Sequence, residues 1–129
     1  MRNRILAETQ EAYAQGETEF MRSLLKSPAG REEATTWAVR SDKSVVARAI
    51  YDDLTTDMRP KLHEIKVPVT ILYPCDASSR MPQATCDGLH RENYAALLNK
   101  TLVRIDGSYH FIMLDQPELF AAQAEVFLQ

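Results

Sequence analysis

The sequence is poor in the residues that metal centres, disulfide scaffolds and phosphate loops require. Two cysteines, Cys75 and Cys86, occur in 129 residues and form no CxxC pair. A disulfide between them is conceivable, but in a reducing compartment free thiols are the expected state. The three histidines, His63, His90 and His110, show neither HxH nor HxxxH spacing, so no structural metal and no cofactor is expected. Only four glycines are present, and neither GxGxxG nor GxxxxGK[ST] occurs, which removes the familiar phosphate-cradling loops. A formal charge of −3 gives no electrostatic reason to expect nucleic acid or an anionic membrane surface as a partner. No apolar run approaches the ~18 residues of a membrane span. The start, "MRNRILAETQEAYAQGE", turns polar too early for a signal peptide. A soluble, cytoplasmic protein is the expectation.

What is present is ordinary globular composition, 45% hydrophobic and 26% charged, in one domain's length of chain. Residues 1–60 read as helical. "RILAETQEAYAQG" is rich in helix formers and is expected to stop at Gly16. "ETEFMRSLLKSPAG" groups Phe20, Met21, Leu24 and Leu25 before Pro28 and Gly30. "REEATTWAVR" is a third segment. "SDKSVVARAIYDDLTTDMRP" places Val45, Val46, Ala49, Ile50 and Leu54 on one stripe, with Ser41 or Ser44 as cap and Pro60 as stop.

From residue 61 to 129 the period changes. "VPVTILYP" is a β-branched and aromatic run bounded by prolines, which predicts a buried strand. "PQATCDGLHRENYAALLN" predicts a loop and a helix with Leu89, Ala96 and Leu97 on its apolar side. "TLVRID" is a second strand, ended at Asp106-Gly107. Asp115 and Glu118 form a capping-box-like pair for a last helix, with Pro117 in its first turn and Leu119, Phe120, Val126 and Phe127 as its buried stripe. Two strands joined by a crossover of about two dozen residues are expected to be parallel. The fold class expected is therefore α/β. Two parallel strands alone leave edges and faces uncovered, which predicts completion by self-association.

Taken together, "VPVTILYPCD", the helix after it, and "TLVRIDGSYHFIMLDQPELFAAQAEVFL" resemble the C-terminal end of the α/β-hydrolase fold. The similarity covers nearly all of residues 60–129; the helices of 1–60 resemble, more loosely, the lid that the family inserts before these strands. The resemblance implies an incomplete α/β-hydrolase fold in which His110 is the general base and Asp76 the acid that orients it. The order acid before histidine agrees with the family. The loop "YPCDASSRMP" departs from it, with Pro74 where glycine is usual and the acid one residue early. The family's nucleophile lies in G-x-S-x-G, and no serine of this chain is so framed. The implied function is to supply acid and base to a serine-type hydrolase of a small ester or related acyl substrate, the nucleophile lying on chain not given, so that these 129 residues alone are inactive.

Other readings stand beside these. His110 can be a connector histidine, and Asp76 a turn aspartate bonded to Ser78. Cys75 has the position of a nucleophile but no charged context to activate it. Tyr109, Phe111 and Met113 line either a substrate pocket or a packed core, and Phe20, Met21 and Trp37 either a cleft or a helix contact. His63 and His90 are expected in exposed, polar settings. The competing functional class is a non-catalytic, self-associating module derived from a hydrolase.

Overall fold

The structure, a computed structural model, describes residues 2–79 and 81–129. The chain divides into two compact units, the first running to Asp57 and the second from Met58 to Gln129.

The first unit is helical: α1 Arg2–Ala7, α2 Gln10–Leu24, α3 Pro28–Arg40 and α4 Lys43–Thr55. Polar caps, not glycines, set its boundaries. Thr9 accepts from the Ala12 amide and opens α2, which runs on through Gly16. A Cβ at Gly16 would meet nothing within 4 Å, so no close approach requires glycine there, and the helix formers on either side carry α2 through it. Ser27 caps α3 through the Gly30 amide, and Pro28 stands at the first helical position, where it starts this helix and breaks none. The cap of α4 is Asp42, not Ser41 or Ser44; its Oδ1 accepts from the Ser44 and Val45 amides. This helix ends at Thr55, ahead of Pro60, which lies in a 3₁₀ turn over Arg59–Glu64.

In this unit α1 packs on α4 and α2 on α3. Ile5, Tyr13 and Ala47 form one buried cluster with Ile50 against it. The stripe of α4 is thus Val46, Ala47 and Ile50, while Val45 and Leu54 are exposed. Leu25 is wholly buried. Met21 is buried, whereas Phe20 and Trp37 stay about half exposed.

The second unit is βαβα, the mixed helix-and-strand class expected: β1 Val69–Cys75, α5 Gln83–Asn93, β2 Lys100–Asp106, a short α6 Ile112–Asp115 and α7 Pro117–Leu128. β1 and β2 pair in parallel, with Ile71 opposite Leu102, Tyr73 opposite Arg104 and Cys75 opposite Asp106. Alternation puts these pairs on one face, where Tyr73, Cys75, Cys86 of α5 and Leu102 form a cluster. The turn ending β2 uses Gly107 at φ +75°, a left-handed conformation that favours glycine.

Three expectations for this unit are corrected. α5 ends at Asn93, so Ala96 and Leu97 follow the helix; Leu97 is buried from the turn that leads into β2. Asp115 does not cap α7: it ends α6, and its carboxylate is turned back onto the Tyr109 amide at 2.8 Å. The expected buried stripe of α7 is exposed, with Leu119, Phe120, Val126 and Phe127 all at least 37% accessible. A helix as apolar as "PELFAAQAEVFL" remains uncovered because one face of a two-stranded sheet is too narrow to bury it.

Among the described residues no helix is long and apolar enough to cross a membrane.

Candidate functional site

Because Cys75 and Asp106 are opposite one another at the end of the ladder, the loops beginning at Asp76 and Gly107 leave the sheet side by side. The C-terminal ends of parallel strands are where open α/β sheets place their chemistry. Sequence reasoning places Asp76 and His110 on these two loops, and the structure brings the loops to one edge.

Asp76 is buried, 7% accessible. Its Oδ1 accepts from the Ser78 amide at 2.8 Å, closing the turn that enters a 3₁₀ segment at Ala77–Ser79. This is the turn contact weighed from sequence. The hydroxyl of the same Ser78 meets the Tyr109 hydroxyl at 2.9 Å. That bond joins the acid loop to the residue preceding His110.

The second loop is held from below. The Asp115 carboxylate takes the Tyr109 amide, and Gln116 Nε2 donates to the Gly107 carbonyl at 3.2 Å. A Cβ at Gly107 would approach that same Nε2 to 3.1 Å, so any side chain there would strain the turn and press on its clamp. Ser108 is almost fully buried and donates its hydroxyl to the Tyr109 carbonyl at 2.9 Å. It is therefore turned inward, not displayed as a nucleophile. His110 is exposed, and its ring meets Phe111 edge-on with centroids 5.0 Å apart. Tyr109 and Phe111 are half-buried and Met113 is 45% accessible.

A second cluster, on the α5 face, was not foreseen. The Tyr73 hydroxyl donates to Asp87 Oδ1 at 2.8 Å, and Arg104 Nη1 reaches both oxygens of Asp87 at 3.2 and 3.0 Å. Arg104 Nε also donates to Asp106 Oδ1 at 2.8 Å. The Tyr73 hydrogen bond, with the Arg104 guanidinium, holds the Asp87 carboxyl below the usual aspartate range. Burial, then the bond to Asp87, pushes the Tyr73 phenol up. His90, expected in an exposed polar setting, is half-buried: it stacks on Tyr73 at 4.3 Å, with Nδ1 2.9 Å from the Cys86 carbonyl. His63 is exposed, with Nδ1 2.7 Å from the Pro60 carbonyl. The available signal was the alternation Leu102, Arg104, Asp106 on β2, which places two charges on one face opposite Tyr73 and Cys75.

This network ties β1, β2 and α5 together, and its linkage to pH has a definite sign. The folded pKa of Asp87 is depressed, so its contribution is present above the unfolded value near 3.8 and is lost as pH falls through the folded value. In urea titrations across pH 5 to 2, wild type should lose more stability than Asp87→Asn. Parallel curves would remove Asp87 from the linkage.

Among the described residues no group of three or more His, Cys, Asp or Glu side chains is placed to hold a metal ion. No protein-family model, no curated protein and no solved structure matches this chain.

Proposed function

We propose that this chain is the acid–base part of a serine-type α/β-hydrolase acting on a small ester or related acyl bond. The observation that carries the reading is the pairing of the Asp76 and His110 loops at one edge of a parallel sheet, bridged by Ser78 and Tyr109. In this reading a serine on a strained elbow outside residues 1–129 attacks the carbonyl. His110 takes its proton and returns it to the leaving group, and Asp76 fixes the imidazole tautomer and stabilises the imidazolium. Backbone amides beside the serine bind the oxyanion. An exposed His110 suits this role, because its partner has to approach from outside the unit. The helices of 1–60 act as the lid, the locale is the cytoplasm, and no cofactor takes part.

The test begins with the reading frame upstream of the Met1 codon. A strand-led G-x-S-x-G in frame, whose product restores hydrolysis of a short-chain nitrophenyl ester when co-expressed, supports the proposal. The 129 residues alone should neither hydrolyse that ester nor be labelled by a fluorophosphonate; stoichiometric labelling would overturn it.

A second reading rests on a different observation, the exposed apolar residues of α7 and the open outer edges of a two-stranded sheet. Here the chain is a self-associating module whose partner is a second copy. Antiparallel pairing of two edges about a two-fold axis makes one four-stranded sheet and removes those edges from water. Sedimentation should show a dimer at micromolar concentration, and a clean monomer would remove this reading.

A further inference from the structure

Cys75 and Cys86 play no part in the acid–base scheme, yet the fold places both in one buried cluster. Cys75 is the last residue of β1, and Cys86 lies in the first turn of α5, the helix that crosses the same face. Both are buried, at 7% and 4% accessibility, in one cluster with Tyr73 and Leu102. Both are free thiols. Cys86 Sγ lies 3.6 Å from the carbonyl of Pro74, the residue preceding Cys75. The fold thus brings the two thiols into one buried cluster between a strand end and a helix.

We propose that Cys75 and Cys86 are a dithiol site that hydrogen peroxide converts into an intramolecular disulfide joining β1 to α5, and that a thiol reductant reopens. In the first step the Cys75 thiolate attacks a peroxide oxygen. The S–O bond forms, the O–O bond breaks, and the departing hydroxide takes up the thiol proton as water. In the second step the Cys86 sulfur attacks the Cys75 sulfenic acid. The S–S bond forms, the S–O bond breaks, and hydroxide leaves with the Cys86 proton as a second water. Two thiols are oxidised and one peroxide is reduced to two waters. Burial, with the Cys75 thiol as neighbour, pushes the Cys86 thiol up. Cys86, the more deeply buried of the two, acts as the resolving partner. Burial also makes the first step slow, so the site answers sustained oxidant, not a brief pulse.

The consequence is local and structural. Cys75 directly precedes Asp76, so the cross-link pins the base of the acid loop to α5 and restricts the unfolded chain. This proposal does not depend on the hydrolase reading, because it is read on the chain as it stands.

The experiment treats the reduced, native 129-residue protein with hydrogen peroxide for graded times and follows its intact mass. The expected result is loss of two hydrogen atoms from the monomer, a Cys75–Cys86 cross-linked peptide on digestion, loss of both alkylatable thiols, and full return with dithiothreitol. The oxidised protein should also melt at a higher temperature than the reduced one. Gain of oxygen atoms without the cross-link, a disulfide between chains, or an unchanged mass with both thiols alkylatable after unfolding would each overturn it.

Discussion

Replacing His110 with alanine is expected to lower kcat by roughly 10⁴–10⁶-fold in any assembly where this chain supplies the base to a serine on another segment. A serine without its base is a weak nucleophile, and the residual rate comes from the oxyanion donors and substrate binding alone. His110 is exposed and its side chain packs chiefly on Phe111, so its removal leaves the fold in place. That separates a catalytic loss from a structural one: the melting temperature should hold while the rate falls. Asp76 calls for a finer pair of variants, since its carboxylate also closes the turn to the Ser78 amide. Asp76→Asn keeps an acceptor for that amide but presents the wrong partner to an imidazole N–H. A loss of about 10⁴-fold with little change in stability is expected. Asp76→Ala removes both functions and should destabilise the protein as well. If all three variants retained wild-type kcat, the loops would be neighbours without a shared mechanism, and the self-associating module would become the better account.

Leu97→Ala is expected to cost the second unit about 2–5 kcal/mol. Leu97 is 1% accessible and sits in the turn between α5 and β2, where its amide bonds the Tyr94 carbonyl and its own carbonyl accepts from Lys100 Nζ at 2.7 Å. Truncation there leaves a cavity in a unit with a small core. At about 4–8 °C per kcal/mol for a domain of this size, the melting temperature should drop by at least about 8 °C. Its neighbour is the internal control. Leu98 is 74% accessible, and Leu98→Ala should stay within about 0.5 kcal/mol of wild type. Equal effects at 97 and 98 would show that packing in this turn is not what anchors β2.

Several features of this protein are local enough to be read from its sequence. The prolines and β-branched residues of "VPVTILYP" mark β1, because such side chains suit a pleated, covered surface. The crossover length between "VPVTILYP" and "TLVRID" dictates a parallel pairing. Asp106-Gly107 ends β2 since only glycine adopts φ +75° without strain. These constraints also place Asp76 and His110 on adjacent loops. Helix boundaries were less legible: α2 runs on through Gly16, and α4 is capped by Asp42 where Ser41 and Ser44 stood within two residues as competitors.

The tertiary structure alone decided the relations between distant residues. Whether Arg104 grips Asp87, Tyr73 bonds the same carboxylate, and His90 stacks on Tyr73 depends on register and on how α5 lies across the strands. No local preference encodes that. The same holds for α7. Its apolar residues announce burial, but burial is a property of what lies opposite, and two strands offer too little surface to cover them. Sequence sets what a segment prefers to be; which groups meet, and which apolar faces go uncovered, is settled only when the layers are assembled.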